Sequence, residues 1–250
     1  MVQLRDLTKR YTKNAKPAVD RLSLTLEPGE IFGFIGPNGA GKTTTIEMMT
    51  GILEPDEGSI SVFGHDVRAE PLAAKRNIGY VPDNHELYDR LKGIEYLNFM
   101  GDVYQVPVGE RKVRVDDLLD AFELRDAIGK PIGSYSHGMK QKLCVIGALL
   151  SNPPLWILDE PMTGLDPQSA FHLKSAMRTH CDEGNIVFFS THVLEVAQQL
   201  CDRVGIIREG RLIALGTLEE LTEQYGGAEQ SLEAIFLSMM GEEPILTEGV

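Results

Sequence analysis

Ile31-Phe32-Gly33-Phe34-Ile35-Gly36-Pro37-Asn38-Gly39-Ala40-Gly41-Lys42-Thr43 decides the fold of this 250-residue chain. Residues 36–43 are a complete G-x-x-x-x-G-K-T phosphate-binding loop. The apolar and aromatic run 31–35 reads as a buried parallel strand. Thr43 to Thr50 suits a helix, and Gly51 falls where a C-terminal cap belongs. Glycines let backbone N–H groups close around phosphate oxygens, and the helix N-terminus adds favourable partial charge. Gly36, Pro37, Asn38, Gly39, Ala40, Gly41, Lys42, Thr43 and Thr44 are therefore the expected nucleotide cradle. Lys42 would reach the β- and γ-phosphates, and the Thr43 hydroxyl would ligate Mg²⁺. The four fixed positions arise by chance in roughly one chain of this size in a hundred. The strand before and the helix after lower that further.

Strand candidates lie on both sides of this loop. Val2–Leu7 and Val19–Leu26 precede it, with Glu27-Pro28-Gly29-Glu30 as the turn into the loop strand. Ser59–Phe63 and Ile78–Val81 follow. From about Asn84 to Ser151 helical periodicity dominates, with charged faces in 94–105 and 110–122. Pro153-Pro154 stops the helices, and Leu155–Leu158 starts a buried strand. Ile186–Ser190 and Val204–Ile207 come next, each after a helix. Arg211–Leu215 pairs with Val204–Arg208 as a hairpin across Glu209-Gly210. Strands alternating with helices predict an α/β fold: a P-loop NTPase (RecA-like) core with a mainly parallel sheet covered on both faces. The N-terminal strands form an antiparallel part, and the block at about 84–153 is an inserted helical subdomain. Residues 226–250 are read as an extension holding one weak amphipathic helix, 231–240, and an acidic end.

Bulk properties narrow the partners. A hydrophobic fraction of 42% and a charged fraction of 24% are ordinary for a globular protein. The net charge of −13 argues against nucleic acid, which wants a basic face. Cys144, Cys181 and Cys201 are widely spaced with no C-x-x-C pair, so free or buried thiols in a reducing compartment are expected. No apolar run approaches the ~20 residues that span a bilayer, so any membrane work falls to another chain. Met1 to Tyr11 is mixed polar and apolar, so no signal sequence is expected there.

Leu155-Trp156-Ile157-Leu158-Asp159-Glu160 is an apolar strand ending in two carboxylates, and it resembles a Walker B strand. Acids at the carboxyl end of a parallel strand face the crevice where such sheets bind ligands. Asp159 is expected to hold Mg²⁺, and Glu160 to polarise the attacking water.

Taken together, the chain resembles the ATP-binding subunit of an ABC transporter over nearly all of residues 1–225. Tyr11 matches the aromatic that stacks on adenine. Tyr135-Ser136-His137-Gly138-Met139 matches the signature usually written L-S-G-G-Q. Met162-Thr163-Gly164-Leu165-Asp166 matches the D-loop, and Ser190-Thr191-His192 matches the switch histidine. The resemblance implies ATP and Mg²⁺ as cofactors. It gives Lys42, Glu160 and His192 catalytic roles, Asp166 a place in the nucleotide site, and Ser136 and Gly138 a phosphate contact at the start of a helix near 139–150. It also implies a composite site, in which the signature of one ATPase domain faces the phosphate loop of another. A homodimer bound to a transmembrane permease follows, with this subunit peripheral on the cytoplasmic face of the cell membrane and not inserted.

Three positions depart from the family pattern. Asp83 stands where Gln is usual after Ile78–Pro82. It still ligates metal by type, though it is shorter and adds a negative charge. His137 replaces Gly, and Met139 replaces Gln. Signatures of the form S-x-G-M-K-Q belong to the ABC-2-like exporter branch, so the resemblance implies export. Leu87, Tyr88 and Tyr96 are candidate exposed anchors for a permease helix. The alternatives are a soluble ABC ATPase, for example in cofactor assembly, and a non-hydrolysing nucleotide-binding adaptor.

Overall fold

A computed structural model describes residues 1–12, 16–225 and 231–240. The first elements are β1 (Val2–Lys9), β2 (Val19–Leu26), β3 (Ile31–Ile35), α1 (Lys42–Met49), β4 (Glu57–Val62), β5 (His65–Asp66) and α2 (Pro71–Arg76). Then come β6 (Ile78–Val81), α3 (Gly93–Val103), α4 (Val108–Ala121), a 3-10 turn at Ile132–Ser134 and α5 (His137–Leu149). The remainder is β7 (Leu155–Asp159), α6 (Pro167–Asp182), β8 (Ile186–Thr191), α7 (Leu194–Leu200), β9 (Arg203–Arg208), β10 (Arg211–Gly216), α8 (Leu218–Tyr225) and α9 (Leu232–Met240).

Two sheets result. The antiparallel one has the order β2-β1-β4-β5. The larger one has the order β10-β9-β3-β8-β7-β6, parallel from β9 to β6 and closed by antiparallel β10. The β9–β10 turn places Glu209 at φ +52 and Gly210 at φ +81, the two positive angles of a tight hairpin. This is the α/β P-loop architecture expected, with helices against the parallel sheet.

Strand alternation divides the core. Leu155, Ile157, Ile186 and Phe188 join Phe32, Phe34 and Ile46 on the face toward the antiparallel sheet and α1. Trp156, Leu158, Val187 and Phe189 join Leu143 of α5 and Leu173 of α6 on the other face. β3, β7 and β8 are buried along their whole length because both faces are covered. Phe32 and Phe188 stack with ring centroids 5.7 Å apart. Each such ring contributes about 1.5–3 kcal/mol by leaving water.

Several expectations need correction. Ser59–Phe63 is instead Glu57–Val62, and β1 runs on to Lys9. β5 and α2 were not anticipated. α2 buries only Ala74, so its six residues carry no usable period. Tyr96 is not an exposed anchor: it is 9% exposed, and its ring fills the space over Gly147 of α5. Leu87 is half-buried against the same core, whereas Tyr88 is 67% exposed. The three cysteines are free; Cys144 and Cys181 are buried and Cys201 is half-buried. The acidic end, 241–250, lies outside the described residues, as do 226–230.

Candidate active site

Strand register builds the site. In the parallel sheet Ile35 lies opposite Thr191, Asp159 opposite Ser190, and Val81 opposite Leu158. The residues just past those ends are Gly36, Glu160, His192 and Asp83. Residues far apart in the chain thus meet along one carboxyl edge, with the phosphate loop leaving from β3 among them.

The loop adopts the shape its glycines allow. Gly41 has φ +110, and a Cβ there would lie 2.4 Å from the Ala18 carbonyl oxygen. Any side chain at 41 would push the loop off the N-terminal strands. Gly41 is also the N-cap of α1, and no side chain caps that helix. Its first N–H groups therefore remain available to an anion. Tyr11, Pro37, Asn38, Gly39, Gly41, Lys42, Thr43, Thr44, Asp83 and Glu160 line one cleft of about 340 Å³. Ala18 lines it too, which the sequence reading missed. Gly36 and Ala40 complete the loop behind it. The Tyr11 hydroxyl lies 3.1 Å from Thr44 Oγ1, with the ring side chain largely exposed at the cleft mouth.

The charged groups form a continuous network. Lys42 Nζ donates to the Gly36 carbonyl at 2.6 Å and lies 3.3 Å from Glu160 Oε1. That Oε1 is buried and has no hydrogen-bond partner, so the contact with Lys42 is an ion pair without hydrogen-bond alignment. Glu160 Oε2 is 2.9 Å from His192 Nδ1. Glu160 itself has φ +47, a left-handed conformation rare for glutamate and of the kind found at functional sites. Thr43 Oγ1 donates to Asp159 Oδ2 at 2.9 Å. Ser190 Oγ donates to Asp159 Oδ1 and accepts from the Glu160 N–H. Ser190 was read only as a strand end. Its signal was a hydroxyl in an otherwise apolar strand, beside the strand that carries the acids.

Burial pushes the Asp159 carboxyl above the usual carboxylate range. Hydrogen bonds from Ser190 and Thr43 oppose that shift, and the charges of Asp83 and Glu160 add to it. The Thr43 hydroxyl and Asp159 carboxylate are hard oxygen donors already side by side, which suits Mg²⁺. Among the described residues no group of three or more His, Cys, Asp or Glu side chains is arranged to hold a metal. A Mg²⁺ here would take its remaining ligands from phosphate oxygens and water, its usual habit in nucleotide sites.

Three of the candidate residues lie elsewhere. Ser136 is the N-cap of α5, and its Oγ accepts from the Met139 N–H at 3.2 Å. Gly138 follows in the first turn, beside Gly164. Asp166 caps α6, where hydrogen bonds from Ser169 hold its carboxyl below the ordinary range. None of the three lines the phosphate cleft.

The family model described as ABC transporter matches residues 19–163, from β2 through the D-loop threonine. The chain belongs to the ABC transporter family. The linearmycin resistance ATP-binding protein LnrL of Bacillus subtilis is 39% identical over 91% of this chain and 72% of its own length. The Nod factor export ATP-binding protein I of Burkholderia thailandensis is 37% identical over 91% of this chain and 74% of its own. A solved ATP-binding subunit of an ABC transporter superposes with a TM-score of 0.92 at 33% identity, covering 96% of this chain and 99% of that one. This ABC protein is an ATP-binding, ATP-hydrolysing subunit that powers transport through a separate permease. No helix among its described residues is long and apolar enough to cross a membrane.

Proposed function

We propose that this ABC subunit powers export, with Glu160 as the general base of hydrolysis. The supporting observation is the unbroken chain of contacts Lys42–Glu160–His192 beside Thr43–Asp159. Lys42 would leave Glu160 for the γ-phosphate as ATP enters. Glu160, freed on that side and still held by His192, would accept a proton from the attacking water. For His192 to donate to Glu160 and to a phosphate oxygen together, both ring nitrogens must carry protons. Thr43 and Asp159 would hold Mg²⁺, which offsets phosphate charge when bound. Asp83 would add a contact to it through water, and Tyr11 would stack on the adenine.

Ser136, Gly138 and Asp166 would serve the cleft of a second copy, which makes a homodimer the functional unit. Residues 1–225 would form the ATPase domain, with 84–153 as its helical subdomain and 226–250 as an extension. The dimer would sit on the cytoplasmic side of its permease. The names of the two relatives, one a resistance protein and one an exporter, favour export over import. The test is Glu160→Gln. Turnover is expected to fall about 10²–10⁴-fold with ATP binding retained. Turnover at the wild-type rate would overturn the assignment.

A further inference from the structure

His137, one of the departures from the family signature, does not stand free at the start of α5. Its ring meets that of His85 edge to face, with centroids 5.5 Å apart. His85 belongs to the segment that follows Asp83, another departure. Both ring nitrogens of His85 are buried without hydrogen-bond partners, so packing alone fixes that ring. On its other side His137 fills the side-chain space of Gly164, where a Cβ would come within 2.8 Å of His137 Cδ2. Gly164, at φ +77, lies in the loop that starts at Glu160 and ends at Asp166. One imidazole therefore touches the loops that leave both β6 and β7.

The same face of α5 repeats the connection. His137, Lys140 and Gln141 are spaced i, i+3, i+4 and so project together. Lys140 Nζ pairs with Asp89 Oδ1 at 2.7 Å, reaching the first loop again. The buried Gln141 amide donates to the Pro161 carbonyl, reaching the second. The Lys140 pair is partly exposed and adds little by itself. The His137 contacts are the ones that join both loops through a single side chain.

We propose that His137 is a positioning residue for hydrolysis, its ring fixing the Asp83 loop and the Glu160–Asp166 loop in one relation to Ser136. This rests on the site reading above, in which Glu160 is the base and Ser136 the phosphate-facing wall. His137 touches none of the reacting atoms and acts through the two loops. His137 is exposed and belongs to none of the hydrophobic core clusters, so truncating it leaves the core intact.

The test uses the 250-residue chain and compares His137→Ala, His137→Phe and His85→Ala. Truncation at 137 should lower kcat about tenfold while the KM for ATP stays within about twofold, as misplacement of catalytic groups does. His137→Phe should restore most of kcat, because the contact is packing of a flat ring. His85→Ala should lower kcat similarly, and the double alanine variant should be no worse than either single one. A wild-type kcat for His137→Ala would overturn the proposal, as would a His137→Phe as slow as His137→Ala. So would additive losses in the double variant. Glu160→Gln in the same assay separates the two levels: if it turns over normally the site reading fails, whereas slow Glu160→Gln beside normal His137→Ala removes only the positioning role.

Discussion

The cleft at the ends of β3, β7 and β8 and the start of α5 both carry candidate phosphate-binding residues, yet they are finished to different degrees. In the cleft, Lys42 and Asp159 are nearly buried, and each is engaged by a side chain of the same chain. At α5, Ser136 is exposed, its hydroxyl caps its own helix, and no carboxylate or lysine from the cleft reaches it. One region is a closed network and the other an open helix end. In the reading proposed above, one copy of the chain would then present two unlike halves of a site, completed only across an interface.

If the cleft is self-contained, its residues govern binding in the isolated chain. Lys42→Ala should weaken ATP binding about 10–100-fold, the loss of a charge-assisted contact or two, measured by equilibrium binding to the monomer. Unchanged affinity would remove Lys42 from the site. If α5 serves a different copy, Ser136→Ala should leave that monomer affinity alone and reduce turnover about tenfold. It should also destabilise the chain by about 1 kcal/mol through the lost cap. A monomer that loses ATP affinity on Ser136→Ala would erase the distinction between the regions.

The cleft also stores a conflict between stability and function. The Asp159 carboxyl titrates above its unfolded value because burial disfavours its charge. The folded state then holds that proton more tightly than the unfolded state, so stability falls as pH rises from the unfolded value through the folded one. Ionising the buried carboxyl in the folded state is therefore unfavourable. Nucleotide-free Asp159→Asn should therefore melt higher than the wild type at pH 7, by about 2 °C or more. The gap should close on acidification to below the usual carboxylate range. An Asn variant that melts lower at pH 7 would contradict this. The smallest effect expected is at Asp83, where Ala should weaken Mg²⁺-dependent ATP binding about two- to fivefold, as fits a contact through water. Unchanged metal dependence would exclude Asp83 from the metal shell.

The cleft was the more legible region. The loop 36–43 carries its chemistry in its spacing, and the strands 31–35, 155–158 and 186–190 are apolar because both faces of the sheet are covered. What spacing leaves out is register. The Ser190 hydroxyl stands out at the end of an apolar run, but its partner is set by β8, which puts it opposite Asp159. Ala18 is likewise brought in by the fold of the N-terminal strands over Gly41. Tyr96 misled for the opposite reason: an aromatic on a charged helix reads as surface until Gly147 provides the hole it fills. At α5 the cap was readable from Ser136, but the His85–His137 contact joins residues 52 apart in the chain, and the sequence carries no sign of it.

We propose that the two regions belong to one site in different copies. Mixing Lys42→Ala chains with Gly138→Asp chains tests it most directly, since each variant alone should be nearly inactive. A heterodimer of the two holds one doubly damaged site and one intact site, because a two-fold dimer pairs each cleft with the partner's α5. A 1:1 mixture should recover up to about a quarter of wild-type turnover. Activity that stays at the mean of the two variants would contradict it.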